Sequence, residues 1–197
     1  MGYTTVSDVK RRIGNLDYDD FGFEDQESFE NYLSKLIEQA SRLIDGYCGV
    51  PQGFFDGGCL LTETFKGSDV RMDGLGCFVK LTYTPVLSVS KVEVNKGSDD
   101  EPDWRATVDY VVESETGRLY FTQETPSLAL RQSVRVEYSA GYPQTPGDVE
   151  AVATDTVSVF LLKLLGWLRR ERSEPPALTL SEEKLLNPYR RHLTLTG

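Results

Sequence analysis

The sequence predicts an α+β protein: an α-helical bundle of long flanking helices, an inserted antiparallel β lobe, and a detached C-terminal helix. Residues 29–47 place apolar side chains at the i, i+3, i+4, i+7 spacing of one helical face. Residues 60–138 instead hold short β-branched and aromatic runs with turn residues between them. The helical period returns after residue 145. We therefore expect the bundle in residues 1–55 and 143–175, the β lobe in 56–142, and a C-terminal segment in 176–197.

Two helices are predicted before the lobe. The first covers about Val6–Ile13 and the second about Phe29–Tyr47. Acidic residues precede the second helix, where they suit the positive end of the helix dipole, and Gly46 and Gly49 are available to end it.

The lobe is predicted to contain about six strands. Glu113–Gly117 has the composition of a hairpin loop, in which Gly117 is free to adopt a positive φ. Lys96–Asp103 is a second, strongly acidic turn. The six runs are Leu60–Phe65, Cys77–Leu81, Val86–Val94, Val108–Val112, Arg118–Thr122 and Val134–Tyr138.

A long helix is predicted after the lobe, with Thr145 as its cap and Pro146 at its first position. It runs to about Arg172. Pro175-Pro176 then breaks the chain, and Ser181 caps a last short helix that is detached from the long one.

The second half of the long helix, Val157–Leu168, is apolar on nearly all sides. A single amphipathic face packed on a small core does not explain this pattern, so a second surface is expected to cover it. We interpret Phe160, Leu164 and Trp167 as core or subunit contacts.

Composition excludes several classes of protein. The formal charge is −10 with a pI of about 4.7, which opposes binding to a polyanion. The longest apolar stretch falls short of the ~20 residues that cross a bilayer, and the N-terminus has no secretory h-region, so the chain is expected to stay in the cytoplasm. Three widely spaced cysteines without a CxxC pair indicate reduced core residues.

Catalytic and metal-binding motifs are not recognisable. The one histidine, His192, lies beside two arginines with no sequence signal for a partner that would orient it as a base. Asp17–Gly22 begins like a calcium loop, but Phe21 occupies its fifth position and Ser28 its twelfth. No nucleotide-binding glycine motif follows a strand, and we expect no cofactor or metal.

Charge is divided unevenly along the chain. Residues 163–192 carry seven basic and four acidic side chains, a net of +3, which leaves −13 for the remainder. Basic residues beside Leu185, Leu186 and Tyr189 fit either a solvated tail or a helix that docks on a partner.

The order of these segments resembles the head-to-tail connector (adaptor, or head-completion) proteins of tailed viruses, over about residues 4–170. The segments that carry the resemblance are Thr4–Lys10, Leu36–Cys48, Thr62–Phe65, Tyr83–Val92, Asp109–Val112, Thr116–Tyr120, Val134–Tyr142 and the helix led by Pro146.

This resemblance implies a structural, non-enzymatic protein of the virion neck, assembled in the host cytoplasm. Members form a ring, usually dodecameric, on the portal protein, extend the DNA channel, and provide a platform for the next neck or tail-completion protein. Duplex DNA would pass through without specific binding, and no membrane is involved. Family members dock a C-terminal helical segment on the portal. Here that segment would act through Leu185, Leu186, Tyr189, Arg190 and Arg191.

Two acidic segments have no role in this resemblance. We hypothesise that they face the DNA channel, where a negative wall would let the duplex slide. Their acidic residues are Asp17, Asp19, Asp20, Asp99, Asp100 and Asp103.

Two other functions stay open at this stage. A β-sandwich-type binding module for a protein or carbohydrate would expose aromatic side chains on the lobe. A carboxylate-dependent hydrolase would need two acids facing each other in a cleft.

Overall fold

A computed structural model describes residues 2–14, 17–123, 125–168 and 180–190. The chain forms two compact units, one of Met1–Gly57 with Gln144–Gly197 and one of Gly58–Pro143. The first unit is helical and the second contains two antiparallel sheets, which confirms the predicted α+β class.

The helical unit has four helices among its described residues. They are α1 (Val6–Ile13), α2 (Gln26–Cys48), α3 (Gly147–Leu168) and α4 (Leu180–Leu186), with 3₁₀ turns at Tyr18–Phe21 and Asn187–Tyr189. Helix α2 begins three residues earlier than predicted because the Asp25 carboxylate accepts a hydrogen bond from the Ser28 amide. It ends where Gly49 adopts the left-handed conformation, with φ of 68°.

Helix α3 packs against other helical elements of its own chain. Helices α1, α2 and α4 and the Tyr18–Phe21 turn all contact it. These elements bury Val157, Leu161 and Leu165 and leave Phe160 and Leu164 half-buried. The shared core consists of Val9, Phe21, Phe29, Leu33, Leu36, Ile37, Ala40, Val157, Leu161 and Leu165.

Part of the acidic stretch after α1 is a 3₁₀ turn. Asp17 and Asp20 close this turn through a capping box. Phe21 is buried and its ring stacks on that of Phe29, with centroids 5.2 Å apart. The aspartates of this turn are exposed to solvent, and the buried Phe21 ring holds the turn against α2.

The β lobe contains eight strands among its described residues, two more than predicted. They are β1 (Cys59–Phe65), β2 (Arg71–Asp73), β3 (Gly76–Lys80), β4 (Val86–Asn95), β5 (Trp104–Ala106), β6 (Tyr110–Glu113), β7 (Arg118–Phe121) and β8 (Val134–Ala140). The two unpredicted strands, β2 and β5, have three residues each, too few to show an alternating pattern.

The strands form two four-stranded antiparallel sheets, ordered β1-β8-β4-β5 and β2-β3-β7-β6. Strand β8 lies between β1 and β4, and its alternate residues Val134, Val136, Tyr138 and Ala140 are fully buried. Gly117 has a φ of 69°, as the hairpin prediction required.

The C-terminal helix is not detached from the helical unit. Helix α4 contacts α3, and Leu186 at its end is fully buried. It begins at Leu180, so Ser181 lies inside the helix and does not precede it as a cap. Pro188 continues the chain as part of the following 3₁₀ turn.

No helix within the described residues is both long and apolar enough to cross a membrane.

Candidate assembly surfaces

The C-terminal segment packs against the end of α2. The Tyr47 hydroxyl donates to the backbone carbonyl of Glu183 at 3.3 Å. The guanidinium carbon of Arg190 lies 5.3 Å from the centroid of the Tyr47 ring, within the range of a cation–π contact. Tyr189 presents its ring edge-on to Phe55, with centroids 5.4 Å apart.

This packing buries some of the predicted portal-docking residues and leaves others exposed. Leu186 has no exposed surface and Tyr189 is half-buried against its own chain, so Leu186 is not available to a partner in this conformation. Leu185 is 46% exposed and Arg190 is exposed. Arg191 lies outside the described residues.

A buried polar pair lies close to this contact and was not recognised in the sequence. The Tyr3 hydroxyl donates a hydrogen bond to Oδ1 of Asp45, and the Tyr3 amide donates to Oγ of Ser41 at 3.0 Å. The Tyr3 ring also packs edge-on against Phe55, with centroids 5.5 Å apart. Phe55 thus connects Tyr3 with Tyr189, and only the adjacent pair Phe54-Phe55 hints at this centre in the sequence.

Burial dominates the electrostatics of this pair. It raises the pKa of Asp45 to about 6, although the hydrogen bonds from Tyr3 and from the Gly53 backbone act in the opposite direction. Burial also raises the pKa of the neighbouring Cys48 thiol to about 12. Cys48 is therefore a protonated core thiol at neutral pH.

We expect the contribution of Asp45 to the stability of the protein to fall as the pH rises from about 4 to 6. Between the unfolded and folded pKa values of Asp45, the native state holds a proton that the unfolded chain has released, so the slope of stability against pH is negative. Asp45→Asn removes this titration and keeps an oxygen for Tyr3. The stability of the variant relative to wild type should rise by about 2–3 kcal/mol between pH 4 and 7 in urea unfolding.

Tyr3→Phe provides the opposite comparison. It removes a hydrogen bond that favours the ionised carboxylate, so the decline in stability should extend to higher pH. If the difference in the free energy of unfolding between wild type and Asp45→Asn stays constant from pH 4 to 7, the raised pKa of Asp45 is contradicted.

The described residues leave one face of helix α3 only partly covered, with Asp155 on that face paired to Arg12 of α1 at 2.8 Å. Ala151, Asp155, Val159, Leu162 and Gly166 follow each other at the spacing of one helical stripe, and each is exposed or half-buried. Leu162 is 53% exposed.

The predicted contact residues of α3 lie differently. Phe160 and Leu164 are half-buried and pack against the core of the helical unit, while the side chain of Trp167 lies outside the described residues. The apolar residue that α3 exposes most is therefore one the sequence prediction did not single out.

The two acidic segments belong to different units. Asp17, Asp19 and Asp20 are exposed on the 3₁₀ turn of the helical unit. Asp99, Asp100 and Asp103 are exposed in the β4–β5 turn of the lobe.

The lobe's acidic turn is held in place by buried Asn95. The Asn95 amide group donates to the carbonyls of Ser98 and Gln132, and its oxygen accepts from the amides of Gly97 and Asp103. The Asp99 carboxylate in addition accepts from the Arg131 amide at 2.7 Å. The backbone of this turn and the Asp99 carboxylate are therefore held in position, and the Asp103 carboxylate is paired with Arg105 at 2.7 Å.

The aromatic side chains among the described residues of the lobe are buried or half-buried, whereas a binding module for a protein or carbohydrate was expected to expose them. Among its described residues, every exposed large apolar side chain is aliphatic or methionine. Trp104 is half-buried, and the Arg135 guanidinium carbon lies 4.2 Å from its ring centroid.

A metal centre is likewise not assembled in the described part of the chain, where no group of three or more His, Cys, Asp or Glu side chains is placed to hold an ion.

Comparison with known proteins assigns the chain to a family. The model of the family described as "Head completion protein" matches residues 13–163, which include α2, the whole β lobe and most of α3. The chain belongs to the head completion protein family, and the resemblance seen in the sequence is confirmed. No curated protein matches the sequence significantly.

Solved structures share the fold across the whole chain. A chain from the neck of an empty gene transfer agent particle, computed with C6 symmetry, has a TM-score of 0.58 and 16% identity and covers 98% of this chain and 91% of that one. A chain from the neck of the native particle, computed with C12 symmetry, has a TM-score of 0.51 and 14% identity, with 91% of each chain covered. A chain from the virion of the native gene transfer agent particle has a TM-score of 0.51 and 16% identity, and the match covers 97% of this chain and 90% of that one.

Proposed function

We propose that this protein is a structural, non-enzymatic adaptor of the virion neck. It forms a ring on the portal protein, extends the DNA channel and supports the next neck protein. The observation that carries the proposal is membership of the head completion protein family over residues 13–163. The fold shared with chains of gene transfer agent necks supports it.

Two surfaces suit assembly in this role. The partly covered stripe of α3 around Leu162 would contact the next subunit, while Leu185 and Arg190 would contact the portal. The fixed acidic turn of the lobe would repel DNA phosphates if it lines the channel.

The test compares particle mass and images of the protein alone, of portal-bearing heads alone, and of the two mixed. We expect the mixture to show an added ring at the portal vertex, with the protein bound there in a fixed multiple. Heads that lack a portal are the matched control and should bind none. Failure to bind portal-bearing heads, or equal binding to the control heads, would overturn the proposal.

A further inference from the structure

The second sheet of the lobe ends in an edge strand that no described residue covers. Strand β6 pairs with β7 alone. The Thr122 amide donates to the Asp109 carbonyl at 2.9 Å, which places Asp109 among the residues whose backbone groups face β7. Because these groups alternate along an antiparallel strand, Tyr110 and Val112 direct their N–H and C=O groups outward. Such an edge is a template for another strand.

Apolar side chains lie beside this edge. Val111, on β6, is 58% exposed. Val108, just before β6, is 88% exposed. The exposed Met72 and Leu75 belong to the β2–β3 hairpin at the opposite edge of the sheet, and the register places Met72 on the face opposite to Val111. A strand added to β6 would therefore gain backbone hydrogen bonds at the edge and an apolar contact with Val111.

The end of this chain has the pattern of such a strand. Residues 191–197 read Arg-His-Leu-Thr-Leu-Thr-Gly, in which Leu193 and Leu195 alternate with β-branched threonines. The chain enters this segment from Arg190, whose backbone is extended with φ of −68° and ψ of 122°. In an extended segment both leucines lie on one face.

The charges of the two segments are opposite. Residues 191–197 begin with Arg191, whereas Glu113 and Glu115 are exposed at the end of β6. Opposite charges favour this pairing and help to set its direction.

We propose that residues 191–197 of one copy add to edge strand β6 of a second copy, with Leu193 and Leu195 on the face of Val111. Each copy supplies one edge and one C-terminal segment, so the contact is heterologous and, when repeated by rotation, closes a ring. The inference rests on the proposed ring function and names a contact within that ring.

Disulfide trapping between differently tagged full-length chains tests this contact. One chain carries Val111→Cys and the other carries Leu195→Cys. They are mixed and oxidised both free at high concentration and bound to portal-bearing heads. We expect a linked pair that contains both tags. A matched control replaces Val111→Cys by Leu60→Cys, an exposed position on edge strand β1 of the other sheet, and should link at least tenfold less. Each single variant oxidised alone measures the background of disulfides that form through the native cysteines.

Three outcomes overturn the inference. If a chain with both substitutions links only within itself, the segment occupies its own sheet. If Leu195→Cys links to a head protein, the segment belongs to the portal. A ring on portal-bearing heads without the mixed pair refutes this contact and leaves the proposed function standing. Absence of binding to heads refutes the proposed function, and the free-protein arm then decides the inference by the presence or absence of the mixed pair.

Discussion

Replacing Leu186 by alanine is expected to lower the free energy of unfolding by about 2–5 kcal/mol. Leu186 is fully buried in the helical unit, and removing its side chain would leave a cavity next to α3. Urea unfolding followed by circular dichroism measures the loss. The adjacent Leu185→Ala is the matched control, because Leu185 is half-exposed, and it should change stability by at most about 1 kcal/mol.

This comparison separates two descriptions of the C-terminal segment. A detached helix would leave stability unchanged in both variants, and removal of the segment would not affect folding. The structure instead predicts that removal destabilises the helical unit, since Leu186 and Tyr189 would no longer cover α3 and Phe55. Equal stability of Leu186→Ala and wild type would contradict the packing described above.

Replacing Leu162 by aspartate is expected to abolish ring assembly on the portal while the subunit stays folded. Leu162 is exposed in the single chain, so a charge there remains in water and costs the subunit little, but it would be buried without a partner in a subunit contact. Particle mass with portal-bearing heads measures assembly, and urea unfolding measures stability.

The neighbouring residue provides the contrast for this experiment. Leu161 is fully buried in the core of the helical unit, so Leu161→Asp should unfold the subunit, at a cost of at least about 4 kcal/mol. Normal rings formed by Leu162→Asp would show that the partly covered stripe of α3 is not a subunit contact.

The sequence predicts those parts of the fold whose signal is local and repeated. Helix α2 carries its apolar face over six turns, and its position was predicted to within three residues at its start. Strands β2 and β5 have three residues each and depend on pairing with β3 and β4, which no local pattern records.

The candidate surfaces were harder to predict because they depend on distant contacts. Leu186 and Leu185 are equivalent in sequence, and only the position of α4 against the helical unit makes one buried and the other exposed. The sequence does not indicate that Phe21 is a core residue, because acidic residues surround it. Its burial depends on stacking with Phe29, which is distant in sequence. The family resemblance rests on the order of several short segments, none of which is specific alone. That order is kept when individual residues are substituted.

The pairing of the first and last strands of the lobe has a consequence for how such proteins diversify. Cys59 at the start of β1 lies opposite Ala140 at the end of β8, so the chain enters and leaves the lobe at the same end of one ladder. Residues can therefore be gained or lost in the lobe's distal turns without changing the separation of the two points that join it to the helices. The lobe is an insertion whose two ends lie together, so its length can change independently of the helical unit.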